Sequence, residues 1–159
     1  IELQSVNLGT IAQNLVRDRH PLAEQKHLEL RFAGSHDLMP IKADQELLTE
    51  ALSILVTNAL NYTPEGGQIL VTTAAEQTPD QSWVQVCVAD TGPGIHPEDK
   101  PHLFERFYRG RAGQESGSPG TGLGLAIVKE IVDRHEGQIE VSANQEASTG
   151  SIFTLRFPA

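Results

Sequence analysis

Val84-Gln85-Val86-Cys87-Val88-Ala89-Asp90-Thr91-Gly92-Pro93-Gly94-Ile95 decides how this chain is read, because its first half alternates and its second half cannot. In a strand, successive side chains point to opposite faces, so Val84, Val86 and Val88 share a face with Asp90 and set a carboxylate at the end of an apolar row. An unpaired buried charge costs on the order of several kcal/mol, so Asp90 requires donors from the protein, from water or from a ligand. A strand-end Asp that caps a turn is one account. Gly92 and Gly94 give another, since they let backbone approach something flat or bulky. An ionised carboxylate only accepts hydrogen bonds, so it suits the exocyclic amine of adenine and repels the carbonyl that guanine carries there.

The strand is flanked by more of the same period. Gln68–Ala75 is a second β-branched run, joined to Trp83–Asp90 by a polar turn at Pro79-Asp80, which predicts an antiparallel pair. Upstream the period changes to helical: Asp44 caps a helix to about Asn61, with Leu48, Ala51, Leu52, Leu55, Ala59 and Tyr62 on one side. Two short strands, Leu28–Phe32 and Met39–Ala43, precede it. An amphipathic helix from Leu8 to Ala23 comes first, and Pro21 disturbs its end.

Downstream of Asp90, regular pattern nearly vanishes. Glu98–Phe104 reads as a short helix, and the glycine-rich stretch before Thr121 reads as a mobile lid over residues 108–121. A strong helix then spans about Gly122 to His135, ended by Gly137, and Gly137–Ala143 with Ser151–Phe157 form a closing hairpin. These elements predict an α+β fold, a two-layer sandwich whose mixed, mostly antiparallel sheet packs on helices.

Composition narrows the function. With 38% hydrophobic residues and 14 glycines in 159 residues, the chain can bury the core of one domain. Its 21 acidic against 12 basic residues, a net charge of −9, argue against nucleic acid as the main partner. No run of 18 apolar residues occurs and no signal-peptide pattern opens the chain, so direct membrane contact is not expected. Cys87 is the single cysteine, which excludes an internal disulfide and favours a reducing compartment.

Three further features carry chemistry. Asn58 sits one helical turn from Ile54 and from Tyr62, on or beside the core-facing stripe. A core Asn bonded to backbone explains such a position. So does a neutral oxygen completing the shell of a magnesium ion held otherwise by phosphates and water. Gly120-Thr121-Gly122-Leu123-Gly124-Leu125 opens a helix, where free backbone N–H groups and the helix dipole favour phosphate, although close packing also selects such glycines. The spacing is neither a P-loop nor a dinucleotide fingerprint. Finally, Lys100, Arg106, Arg109 and Arg111 cluster beside the glycine-rich stretch, among the large side chains Leu103, Phe104, Phe107 and Tyr108, which anchor it to the body or to a partner.

In order, Asn58 with Tyr62-Thr63-Pro64, Asp90-Thr91-Gly92-Pro93-Gly94-Ile95, Leu103-Phe104-Glu105-Arg106-Phe107-Tyr108-Arg109 and Gly120-Thr121-Gly122-Leu123-Gly124-Leu125 resemble the N, G1, F and G2 boxes of sensor histidine kinases. Gly150-Ser151-Ile152-Phe153 resembles the start of that family's last strand. The resemblance implies a catalytic and ATP-binding domain of the Bergerat type, shared with DNA gyrase, Hsp90 and MutL. It implies that Asp90 binds the adenine amine, that Asn58 holds Mg2+, and that Asn61, Tyr62, Gly92, Gly94, Ile95 and Phe107 line the nucleotide pocket. Gly120, Thr121, Gly122, Leu123, Gly124 and Leu125 would shape the phosphate loop, and Arg109 would approach the γ-phosphate.

By the same resemblance, residues 1–7 are the end of a linker from a dimerisation and phosphoacceptor domain, which would be the partner in phosphotransfer, with a response regulator downstream. The work is cytoplasmic, where ATP is available. Ile54 stands where the family often has Asn, and Asn61 where it often has Lys or Arg. Gyrase-like ATPases carry a general-base Glu at the position of Ile54, so efficient hydrolysis is not expected. None of the histidines at 20, 27, 36, 96, 102 and 135 is followed by the family's acidic-Arg-Pro phosphoacceptor pattern, so the acceptor lies on another domain. The alternatives are a non-catalytic module regulated by ATP and a serine kinase of the anti-sigma-factor type.

Overall fold

Asp44 starts the central helix: its side chain accepts the Leu47 N–H at 3.1 Å, and α2 (Gln45–Tyr62) runs from there. Leu48, Leu52, Leu55 and Val56 on one side of α2 are at most 2% exposed. Burial of each such side chain is worth roughly 1.5–3 kcal/mol, which holds the helix on the sheet. The computed structural model describes residues 1–35, 37–109 and 123–159. The lid expected at 108–121 therefore lies outside the described residues, apart from Tyr108 and Arg109.

The chain order is β1 (Gln4–Val6), α1 (Leu8–Gln25), β2 (Glu29–Ala33), β3 (Ile41–Ala43), α2, β4 (Gln68–Gln77), β5 (Ser82–Asp90), α3 (Gly124–Arg134), β6 (Gln138–Ala143) and β7 (Ser151–Pro158). The main sheet has the order β2-β4-β5-β7-β6, and β1 pairs separately with β3. All neighbours in the main sheet are antiparallel except β2 and β4, which are parallel with Glu29 opposite Gln68. Parallel pairing needs a crossover. α2 lies on the connection between these two strands.

Valines 84, 86 and 88 face the helices at 0 to 1% exposure, and Leu155 and Phe157 of β7 join them. On the opposite face Arg156 ties three strands together, reaching Gln85, Glu76 and Glu140 at 3.1 to 3.3 Å. Among the described residues, no helix is long and apolar enough to cross a membrane.

Four local expectations change. α1 runs past the expected end at Ala23 to Gln25, with Pro21 inside it, and Ala23, buried at 1% exposure, packs that last turn on the core. Tyr62 is half-buried, and Val56 and Leu60 complete the buried side of α2 instead. Glu98–Phe104 forms turns around a three-residue 3-10 segment, Lys100–His102, in place of a helix. At the end of α3 the left-handed residue is Glu136, with φ 55°. Gly137 instead makes room for a neighbouring strand, since a Cβ there would lie 2.5 Å from the Arg156 carbonyl.

Candidate functional site

The alternation of β5 carries Asp90 to the end of the buried row, where it is 7% exposed. Its Oδ1 accepts the Gly92 N–H at 2.9 Å and the Ser151 N–H at 3.2 Å. Its Oδ2 accepts the Ser151 hydroxyl at 2.9 Å. A carboxylate offers about four lone-pair sites, two on each oxygen. The protein fills both on Oδ1 and one on Oδ2, so the turn-capping account holds and one acceptor position is still left over. Burial pushes the Asp90 carboxyl above the usual carboxylate range, opposed by the Gly92 N–H and then by the two Ser151 donors.

The surroundings fix this carboxylate in place. Asn144 donates its side-chain amide to the Asp90 carbonyl at 2.8 Å. Gly150, at φ 129°, passes so close that a Cβ would lie 2.0 Å from the same carbonyl oxygen. Thr91 closes onto the start of β4: its N–H meets the Gln68 carbonyl at 3.2 Å and its hydroxyl accepts the Gln68 N–H at 3.0 Å. Neither Ser151 nor Asn144 was among the candidate residues. The available signal was a Ser opening a strand directly after a glycine.

α2 connects this corner to the start of α3. At its C-terminal end the Tyr62 carbonyl abuts Gly92, where a Cβ would lie 3.2 Å from it. Two turns earlier, the Cγ2 of Ile54 would lie 3.1 Å from a Cβ on Gly124. Asn58, half-buried, is midway on the same face, since residues four apart on a helix are neighbours. Asp90, Gly92, Tyr62, Asn58 and Gly124 thus border one region, with Asn61 half-buried at the end of α2. Leu123 and Leu125 are half-buried around Gly124, and Leu125 packs on the core. Gly94, with φ 78°, and Ile95 follow the turn and are both half-buried. Gly120, Thr121 and Gly122 lie outside the described residues.

The basic and aromatic segment is less uniform than its sequence. Tyr108 donates its hydroxyl to the carboxylate of Asp99, which is itself 6% exposed, and stacks obliquely near His102. Arg109 follows, half-buried. Phe107 is 72% exposed at φ 65°, a conformation that L residues seldom adopt, so it is not seated in a pocket here. An open groove of about 470 Å³ runs between Phe104, Arg106 and the outer side of α3 at Ala126, Lys129, Glu130, Asp133 and Arg134.

Comparison with known proteins bears on the family and the fold. Residues 43–159 match the family described as histidine kinase-, DNA gyrase B-, and HSP90-like ATPase. The chain is 35% identical over 157 residues to the sensor-like histidine kinase SenX3 of Mycobacterium tuberculosis, covering 99% of this chain and 37% of that protein. It is 43% identical over 138 residues to the sensor histidine kinase CusS of Escherichia coli, covering 87% of this chain and 27% of that protein. It therefore spans about a third of the length of these curated relatives. Among solved structures, the catalytic domain of histidine kinase ThkA superposes with a TM-score of 0.83 at 28% identity, covering 99% of this chain and 98% of that one. Full-length ShkA in complex with AMPPNP gives 0.82 at 30% identity, covering 99% of this chain and 31% of that one. By sequence match and by fold, the chain belongs to the histidine kinase-, DNA gyrase B- and HSP90-like ATPase family, as a catalytic domain of the sensor histidine kinase type.

Proposed function

We propose that the chain binds Mg-ATP and donates the γ-phosphate to a histidine on a separate dimerisation and phosphoacceptor domain, in two-component signalling that passes through a response regulator. The observation that carries this reading is the leftover acceptor position on Asp90, a buried carboxylate otherwise saturated by the protein. The adenine amine supplies the missing donor, and Gly92, Gly94 and Ile95 leave the ring its space. The nucleotide analogue in the ShkA structure belongs to a relative of the same fold, which supports the choice of ligand.

In this reading the triphosphate runs from the Asp90 corner along α2 toward Gly124. Asn58 offers a neutral amide oxygen on that path and would hold magnesium, with phosphate oxygens and water at the other positions. Bound there, the ion would draw charge from the phosphates. Arg109 would neutralise the terminal phosphate, and by the family resemblance Gly120, Thr121 and Gly122 would supply backbone N–H groups to the phosphates. Phosphoryl transfer needs mainly positioning and charge neutralisation, so no side chain has to act as nucleophile in this chain. Ile54 packs against Gly124 and cannot accept a proton, so water is not activated at that point. Exposed Phe107 suits contact with the partner domain, and the reaction takes place in the cytoplasm.

Calorimetry with ATP, with GTP and with ATP plus chelator tests purine choice and metal use together. Preference for ATP and tighter binding with magnesium are expected. Phosphotransfer from radiolabelled ATP to an added phosphoacceptor hairpin tests the second half. ATP affinity without any transfer would favour the non-catalytic module.

A further inference from the structure

His135 makes two hydrogen bonds that fix the tautomer of its neutral ring. Its Nδ1 lies 2.7 Å from the Ile131 carbonyl, which only accepts, so Nδ1 carries the proton. Its Nε2 lies 3.0 Å from the backbone nitrogen of Asp44, which only donates, so Nε2 presents its lone pair. His135 is 8% exposed, and the ring of Phe157 lies edge-on to it at 6.0 Å. A single tautomer, neutral, satisfies this site.

The position matters because of what it joins. Asp44 is the N-cap of α2, and His135 is the C-cap of α3. At the other end of the same helix pair, Ile54 meets Gly124. The two contacts fix α2 and α3 side by side, and those helices carry Asn58 and Gly124. Asp44 is also where β1 arrives, since its Oδ2 accepts the Glu2 N–H at 2.9 Å. We propose that His135 is a positioning residue that holds α3 against the start of α2, and that its protonation opens this joint and weakens nucleotide binding. The nucleotide half rests on the ATP reading above; the joint itself does not.

Protonation sets an N–H against the Asp44 N–H, and both lose their partner. The groups around the ring do not repair this without loss. From α2, the Asp44 carboxylate is committed to Glu2 and Leu47, so turning it toward an imidazolium uncaps α2; Glu46, further along, is exposed. From β7, Phe157 brings no charge. From the end of α3, Asp133 is held by Lys129 at 2.7 Å, and Arg134 and Glu136 are exposed.

Long-range proton–nitrogen NMR on the labelled 159-residue chain at neutral pH reads the tautomer directly. A protonated Nδ1 and bare Nε2 are expected, and a protonated Nε2 would overturn the joint. The second measurement compares wild type with His135→Gln, whose amide oxygen accepts from Asp44 without titrating. The urea midpoint and the affinity for an ATP analogue are followed from about pH 8 to about pH 5, across the usual imidazole range. Taking the ratio of the two proteins at each pH cancels the titration of the analogue and of Asp90. The wild type is expected to lose affinity relative to the variant by at least about fivefold on acidification, the lower end of typical coupling between sites. A flat ratio for both quantities overturns the proposal. A ratio that moves for the urea midpoint while neither protein binds nucleotide at any pH supports the joint and removes the ATP reading.

Discussion

Ser151 holds Asp90 with both of its donors, the backbone N–H on Oδ1 at 3.2 Å and the hydroxyl on Oδ2 at 2.9 Å. The first residue of β7 thereby orients a carboxylate at the last residue of β5, and Gly92 supplies the third donor. A side chain so gripped has lost its rotamer freedom before any ligand arrives, so a ligand that uses its remaining lone pair pays little ordering entropy.

Asp90→Asn separates ligand recognition from folding. The Asn oxygen can keep the two N–H bonds at Oδ1, and its amide can donate to the Ser151 hydroxyl, so the thermal midpoint should change little. The acceptor facing the ligand is lost. ATP affinity should fall by about 1–3 kcal/mol, the scale of a charged hydrogen bond or an unmet donor, as read by calorimetry. Unchanged affinity would remove Asp90 from its assigned role.

The raised proton affinity of Asp90 gives opposite signs for stability and for binding. The folded chain holds this proton more tightly than the unfolded chain, whose carboxyl lies near 3.8. Its contribution to stability is therefore complete below that value and declines as pH rises to the folded value. Binding needs the ionised form, so ATP affinity should begin to fall, on acidification, above the ordinary carboxylate range. Asp44 behaves conversely: the Glu2 and then the Leu47 N–H groups lower its carboxyl, so its contribution is present above 3.8 and is lost as pH falls below that. His135 and the nucleotide titrate in both proteins, so the ratio of wild-type to Asp90→Asn affinity is the quantity that isolates Asp90, and it should fall on acidification from about pH 7 to about pH 4.5. A flat ratio would assign the acid limb elsewhere.

The parts of the site visible in the sequence are those set by short-range periodicity. Alternation through Val84, Val86 and Val88 put Asp90 on the buried face, and Asp44 announced α2, because both rest on neighbours a few residues away. What was not visible depends on register between distant segments. Ser151 reaches Asp90 across 61 residues, and the parallel pairing of β2 with β4 depends on how the chain returns after α2. Glu136 takes the left-handed turn that sequence assigned to Gly137, because the close pass of Arg156 claims that glycine. The segment around Phe107 was read by its apolar character, yet hydrophobicity does not say whether a ring faces the body or solvent.

Gly150→Ala should damage fold and site together. The residue sits at φ 129°, and its Cβ would lie 2.0 Å from the Asp90 carbonyl oxygen. The backbone conformation alone costs about 1–3 kcal/mol for a residue with a side chain. The contact with backbone cannot be relieved by a rotamer change. A lower urea midpoint is expected, together with weaker ATP binding at concentrations where the protein is still folded, because displacing Gly150 displaces Ser151. Wild-type stability in this variant would mean that the approach of β7 to β5 is looser than described.

Gly124→Ala tests whether α2 and α3 touch at the phosphate end. Two effects compete. Gly124 opens α3, and alanine there narrows the conformations of the unfolded chain, which favours folding by about 0.4–1 kcal/mol. Against this, the new Cβ would lie 3.1 Å from the Cγ2 of Ile54, and overpacking costs about 1–3 kcal/mol where neighbours cannot yield. The contact should win while Ile54 is present, so the single variant is destabilised. In an Ile54→Ala background the obstruction is gone, and the same substitution should become stabilising. Urea denaturation of the four proteins closes the cycle, with a coupling of about 0.5–3 kcal/mol expected for residues in contact. Additive effects would separate the two helices at this end, and with them the route by which the Asn58 face of α2 reaches the start of α3.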